Sequence, residues 1–279
     1  MRSVLLAIFV AVVIGAMPAH GQGAAPSPQS VKRDMMESCP GLVAERPPFR
    51  SLVQRVALND DQVRLTYIGH STFLIETPQG VRIATDYNGY VKPPLIPDVV
   101  TMNHAHSTHY TDNPEPEIKL VLRGWAQEFG KPARIDQQVK DVRIRNVPTN
   151  IRSYYGSAET ERHGNSIFIF EVAGLCIVHL GHLHHTLNAQ QLSEVGRPDI
   201  VLVPVDGSYT LDLEGMIEVL RGLKARMVIP MHYFSEYTLD RFLSQVGREW
   251  EVERSSVPSV LLSKATLPQK PKLLVLPGH

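Results

Sequence analysis

The residues of this chain best suited to chemistry are histidines, and they are clustered. Asn103-His104-Ala105-His106-Ser107-Thr108-His109 follows the apolar run Val99–Met102, and His179-Leu180-Gly181-His182-Leu183-His184-His185 follows Leu175–Val178. His232 closes the run Met227–Met231. Neutral imidazole is the commonest protein ligand for zinc and similar ions. Three strand-like segments that each end in histidine therefore predict a metal centre built from strand ends. All-histidine ligation suits zinc, iron, copper or nickel. His184 and His185 extend the second cluster, either as a loop pair or as further ligands. His163, in Arg162-His163-Gly164-Asn165, reads as a turn residue, and Asp112 is a carboxylate close to the first cluster. Tyr110, Tyr154, Tyr155 and Tyr209 are loop aromatics that could shape a substrate pocket.

The elements that must position these groups are short. Apolar, β-branched runs separated by turn residues predict strands over Val63–Ile68, Thr72–Glu76, Val81–Thr85, Val99–Met102, Lys119–Leu122, Val142–Val147, Ser166–Val172, Leu175–Leu180, Ile200–Val205 and Met227–Ile229. Helical periodicity covers Asn188–Val195, Asp212–Leu223 and Tyr237–Val246. Leu213, Met216, Ile217 and Leu220 fall at i, i+3, i+4 and i+7 and predict one buried face. Strands dominate the first two-thirds and helices enter later, which suggests two sheets packed face to face with helices outside, as one domain. Cys176 and His179 differ by three positions, so they point to opposite faces of their strand. The charged run Asp141-Val142-Arg143-Ile144-Arg145 reads as the solvent face of a strand.

The 279 residues carry 28 basic and 28 acidic side chains and are 43% apolar. That balance supports a sizeable core and gives no electrostatic reason to expect nucleic acid or a membrane surface as partner. Arg2, the apolar stretch Val4–Ile14 and the small-residue segment ending Ala19-His20-Gly21 have the order of a secretory signal peptide. Eleven apolar residues fall short of the roughly 20 that span a bilayer. The expectation is a cleaved leader over residues 1–21, a Pro/Gly-rich arm over 22–54, a folded domain over 55–279, and a periplasmic or secreted protein without a stable membrane anchor. Export permits a disulfide between Cys39 and Cys176, although Cys176 also reads as a small core residue.

These motifs resemble the metallo-β-lactamase superfamily, in its branch of ascorbate-6-phosphate lactonase-like and N-acylphosphatidylethanolamine phospholipase D-like hydrolases. Tyr67-Ile-Gly-His-Ser-Thr-Phe-Leu-Ile75 is similar to the branch's opening strand pair, and Val81–Asp86 to the strand ending in a supporting aspartate. His104-x-His106-x-Thr108-His109 falls on its H-x-H-x-D-H motif and His179-Leu-Gly-His182 on its H-x-G-D segment. Val203–Gly207 and Ile229–His232 fall on the last two active-site loops. The resemblance implies an α/β fold, the αββα sandwich of two mixed sheets with helices on the outer faces. It implies a first metal site of His104, His106 and His179, with His109 and His232 as the remnant of a second. Asp86, His70 and Thr108 would line or support the site. Thr108 and His182 stand where the family carries metal-binding aspartates, and Asp206 stands where it usually carries glycine.

Two divalent ions about 3.5–4 Å apart repel by on the order of 20 kcal/mol at an effective dielectric near 20. Without the two aspartates to offset that repulsion, one ion is expected rather than two. Zinc leads, with iron or manganese as alternatives. The expected function is an exported metal-dependent hydrolase acting on a small-molecule ester, lactone, amide or phosphoester through a metal-activated water. Asp206 or His182 would handle protons, and His182 could instead be a fourth ligand. The alternative is a non-catalytic metal- or ligand-binding protein on the same scaffold.

Overall fold

A computed structural model describes residues 57–126, 128, 130–152, 161–247 and 249–278. The expected leader and arm, Cys39, Tyr154 and Tyr155 lie outside the described residues.

The chain opens with a hairpin. β1 (Val63–Gly69) and β2 (Thr72–Glu76) run antiparallel, with Gly69 opposite Thr72, so that His70 and Ser71 form the turn. β3 (Arg82–Ala84), β4 (Val99–Met102) and β5 (Leu120–Arg123) extend this sheet, β3 to β5 pairing in parallel. A second sheet begins with β6 (Asp136–Val139) and the long hairpin of β7 (Val142–Ile151) and β8 (Glu161–Val172), then turns at Gly174 into β9 (Leu175–His179). α1 (Ala189–Val195) leads to β10 (Ile200–Pro204), α2 (Leu213–Leu223) to β11 (Met227–Met231), and α3 (Glu236–Val246) to β12 (Glu251–Arg254). β13 (Ser259–Leu262) crosses back to the edge of the first sheet beside β1, and β14 (Lys272–Val275) inserts between β11 and β12. Both sheets mix parallel and antiparallel pairs, as expected.

The inner faces of the two sheets meet in one apolar layer. Leu65, Phe73, Ile75 and Ile83 from the first sheet meet Phe168, Phe170, Ile177, Leu202 and Ile229 from the second. Ile167, Ile169, Val178, Val201 and Val203 alternate to the outer face of the second sheet, where Met216, Leu220, Leu239 and Phe242 of α2 and α3 cover them. Each helix starts on a side-chain cap, from Asn188, Asp212 and Ser235 respectively. The predicted face Leu213, Met216, Ile217 and Leu220 is buried. Among the described residues, the outer face of the first sheet instead carries a small cluster around Ala84, Tyr87, Val100 and Met102.

Parallel pairing explains why the histidines meet. β9, β10 and β11 are mutually parallel, so their C-terminal ends, carrying His179, Asp206 and His232, lie along one rim. β3 and β4 are parallel too, and bring Asp86 and His104 to a common edge. Ligand sites of α/β sheets gather at such carboxyl ends.

Two expectations need correction. The strands predicted over Val142–Val147 and Ser166–Val172 are longer than expected, since β7 runs to Ile151 and β8 starts at Glu161. His163, read as a turn residue, lies within β8 at a left-handed φ of 58° opposite a bulge. β6, β12, β13 and β14 were not anticipated. β12 (Glu-Val-Glu-Arg) is exposed throughout, and so shows no inside–outside alternation.

Candidate metal centre

The innermost group is His70, His109 and His232, which offer one ring nitrogen each, all within 4.8 Å of one another. His109 is fully buried, and its Nδ1–H donates to Asp86 Oδ2 at 2.7 Å. Asp86 Oδ1 accepts the backbone N–H of Asn103 at 3.0 Å, which ties the ligand-bearing loop to the end of β3. His232 Nδ1 lies 3.0 Å from Asp206 Oδ2, and its Nε2 sits 3.2 Å from His109 Nε2. The backbone N–H of His232 donates to the carbonyl of His70 at 2.7 Å, joining the β1–β2 turn to the end of β11. His70, Asp86 and His232 all adopt left-handed φ (50°, 46° and 54°). Each costs about 1–2 kcal/mol for a residue with a Cβ. Strain of this kind, held by surrounding structure, is typical of sites.

His104, His106 and His182 form an outer group. Their ring centroids are 6.2 Å (His104–His106), 5.3 Å (His104–His182) and 6.0 Å (His106–His182) apart. His104 donates from Nδ1 to Gly164 O at 2.7 Å, and His106 Nδ1 contacts Thr108 Oγ1 at 3.0 Å on the exposed side. His182 lies between the two groups, its ring 4.5 Å from His109 and 5.3 Å from His232. It follows Gly181, whose φ of 62° and lack of a side chain let the turn pass close to Asn103 and Asn165.

The expected first set, His104–His106–His179, does not assemble. His179 alternates with Leu175 and Ile177 into the layer between the sheets. Its Nε2–H donates to Ser71 O at 2.8 Å, and its Nδ1 accepts from Gly181 N at 3.1 Å and Asn103 Nδ2 at 3.2 Å. With both ring nitrogens used, it is a brace between the β1–β2 turn and the β9 loop. Asp206 as a proton carrier also fails. Its Oδ1 accepts from the N–H groups of Ser208, Tyr209 and Thr210, while Oδ2 takes the Thr210 hydroxyl and faces His232. His184 and His185 accept from the N–H groups of Arg152 and Asn150 and so pin the end of β7. Asp112 is exposed and outside the cluster. Cys176 faces away from His179, as predicted, and burial pushes its thiol up to about 11. Sequence reasoning gave Asn103 no role, although its position before His104 was the available signal.

Burial sets the charge state. It lowers His70 to about 4, with His232 adding to the effect, and lowers His184 to about 3. Burial and neighbouring imidazoles hold His109 and His182 far below the usual range. Burial alone would raise Asp206, but hydrogen bonds from His232, Thr210 and Ser208 outweigh it and keep the carboxylate ionised. Burial raises Asp86, opposed by His179 and the Asn103 hydrogen bond. His70, His104, His109 and His182 are thus neutral lone-pair donors, the form that ligates metal. His70 Nε2 and His182 Nδ1 are buried without a hydrogen-bond partner. Leaving such a group unsatisfied costs about 1–3 kcal/mol. A cation fits these residues.

Known proteins resemble this chain over most of the described domain. A family described as a β-lactamase superfamily domain matches residues 64–232. The chain is 25% identical over 196 residues to a UPF0173 metal-dependent hydrolase of Archaeoglobus fulgidus, covering 61% of this chain and 83% of that one. It is 28% identical over 200 residues to a UPF0173 metal-dependent hydrolase of Ignicoccus hospitalis, covering 61% and 82%. A Thermotoga maritima structure described as a Zn-dependent hydrolase of the metallo-β-lactamase superfamily aligns with a TM-score of 0.57 at 28% identity, over 78% of this chain and 100% of that one.

Proposed function

Because the chain belongs to the metallo-β-lactamase superfamily, we propose that it is a hydrolase that uses one divalent ion, zinc first, on a small ester, lactone, amide or phosphoester. The observation that carries this is the rim of neutral, buried imidazoles with unpartnered ring nitrogens. The names of its metal-dependent hydrolase relatives support the same reading.

A bound ion would supply Lewis acidity, activating a water and polarising the scissile bond. The chain's own groups do the rest. Asp86 fixes the tautomer of His109 by accepting its Nδ1 proton, as ligand imidazoles require, and Asp206 stands 3.0 Å behind Nδ1 of His232. His182, beside both rings and with its Nδ1 unpaired, accepts a proton from the nucleophile and passes it to the leaving group. His106 and the exposed Tyr209 and Phe234, which pack edge to face at 5.5 Å, form the open side by which substrate enters. Among the described residues three ring nitrogens converge, those of His70, His109 and His232; a closed four-histidine shell would mark the non-catalytic alternative.

The test is a hydrolysis screen with ester, lactone, amide and phosphodiester probes on chelated and zinc-reloaded protein. Turnover that chelation abolishes and zinc restores is expected; a loaded protein inert to all four probe classes would sink the reading. We also propose export, for which the leader-like first 21 residues are the support. Sequencing the N-terminus of protein from the extracytoplasmic fraction should give Gln22, and a cytoplasmic chain that still begins at Met1 would refute it.

A further inference from the structure

We propose that the hollow lined by Arg197, Pro198, Asp199, Lys224, Arg226 and Lys264 is a second ligand site, which binds a phosphate-bearing anion. The site lies apart from the histidines and does not depend on how they act.

The topology sets this distance. Arg197 and Asp199 directly precede β10, Lys224 and Arg226 directly precede β11, and Lys264 follows β13. The hollow thus sits at the N-terminal ends of β10 and β11, whose C-terminal ends lead to Asp206 and His232. Each strand has 5 residues. At about 3.3 Å per residue, roughly 15 Å of sheet separates the hollow from the histidine rim.

Charge sets the hollow apart from the rest of the surface. The chain has 28 basic and 28 acidic residues, and elsewhere exposed cations stand against carboxylates. Arg143 pairs with Asp136, Arg221 with Glu249, and Arg254 with both Glu236 and Asp240. In the hollow, four cationic side chains surround one carboxylate. Asp199 is already spent on Lys264 Nζ at 2.6 Å and on the Cys176 N–H at 2.9 Å. Among the described residues, Arg197, Lys224 and Arg226 form no ion pair. Cations of one sign gathered in a concavity raise the local potential and draw in anions.

The helix ends nearby do not account for these cations. A cation beside a helix C-terminus is favoured by the last carbonyls, which explains Lys224 at the end of α2. Arg197 has no such role, because the α1 carbonyls of Glu194 and Val195 already accept from Arg145 at 2.6 and 3.1 Å. Arg226 lies two residues beyond Lys224, next to β11.

The backbone beneath the hollow is fixed before any ligand arrives. Asp199 N donates to Cys176 O at 2.8 Å, Met227 N to Asp199 O at 3.0 Å, and Lys272 N to Arg226 O at 2.9 Å. Only side chains need ordering on binding. Composition then selects the ligand. Two guanidinium forks match paired phosphate oxygens, and two ammonium groups add charge without fixed direction. The hollow measures about 270 Å³, just under the range of roughly 300–1,000 Å³ for small-molecule pockets. A pyrophosphate or a phosphate monoester has the size and the multiple charge that fit it.

The test is calorimetric titration of the chelator-treated full chain with pyrophosphate, beside co-sedimentation with phosphatidylcholine vesicles with or without phosphatidylglycerol. Removing metal keeps phosphate from reporting on the histidine rim. Wild type is compared with Arg197→Ala, Arg226→Ala and the Arg197→Gln/Arg226→Gln double variant. Lys131→Ala is the control, an exposed cation outside the hollow that pairs with Glu128. Arg197 and Arg226 are exposed, so circular dichroism should show these variants folded. Pyrophosphate should bind wild type and Lys131→Ala alike, and more weakly as salt rises. Each arginine variant should lose at least about 10-fold in affinity, the loss of one charge-assisted contact. Binding of pyrophosphate without vesicles assigns a soluble phosphate compound. Sedimentation with phosphatidylglycerol vesicles that the double variant loses assigns a lipid headgroup. No binding of either probe by wild type, or binding that the folded double variant keeps, would overturn the site and leave the hydrolase reading untouched.

Discussion

Asp86 and Asp206 each stand behind an imidazole of the inner group, and neither is free to do anything else. Asp86 divides its oxygens between His109 and the Asn103 backbone, and Asp206 is saturated by the 208–210 turn and His232. Asp86→Asn and Asp206→Asn should therefore weaken metal binding about 10–100-fold without abolishing it. Competition with a calibrated chelator would measure this, and unchanged affinity in both would show that the carboxylates are not orienting ligands. His179 makes the opposite prediction. His179→Phe removes three hydrogen bonds at the sheet interface and leaves Ser71 O with the Thr85 hydroxyl alone. It should cost about 1–3 kcal/mol in urea unfolding while the metal stoichiometry stays at the wild-type value. Loss of the metal in a folded His179→Phe would restore it as a ligand.

At the scale of elements, the site depends on how strands are ended. The turn after β9 holds the left-handed Gly181, where an added Cβ would collide with Asn103 Nδ2 and meet Asn165 Oδ1 at 2.7 Å. Those two amides cannot retreat easily, since Asn103 donates to Ser166 O and Asn165 to Thr149 Oγ1. Gly181→Ala should destabilise the fold by about 1–3 kcal/mol through overpacking and displace His182 from its neighbours. Thermal melts and the imidazole resonances of His182 would report both effects. A stable variant with unshifted resonances would mean that the turn has more room than its contacts indicate. The helices matter less directly. α2 and α3 cover the outer face of the second sheet and hold in place the strands whose ends carry Asp206 and His232.

For the whole molecule, the concentration of buried neutral histidine couples stability to pH. In the unfolded chain imidazole titrates near 6.5, whereas burial lowers His104 and holds His70 at about 4 in the folded chain. The unfolded state thus takes up more protons once pH drops below about 6.5, so the metal-free protein should lose stability from there down to about 4. Above 6.5 these groups contribute no slope. Zinc should raise the melting temperature by binding only the folded state, and more so at pH 7.5 than at pH 5.5. A metal-free melting curve flat across this range would contradict the assignment of neutral buried rings.

Local chemistry made much of this legible in sequence. β2 and β4 match their predicted bounds, and the helices start at or within one residue of their predicted spans, because period and caps are local signals. The histidine clusters and their placement after strands were equally plain. Even the inward face of His179 could have been read from its alternation with Leu175 and Ile177. What the sequence left open was which imidazoles point at one another. That depends on how two sheets from distant parts of the chain are set against each other. Only there does the β1–β2 turn lock onto β11, bringing His70 to His232 and spending His179 on Ser71. Strand alternation assigns each side chain a face, but the partners it meets across that face belong to the tertiary structure.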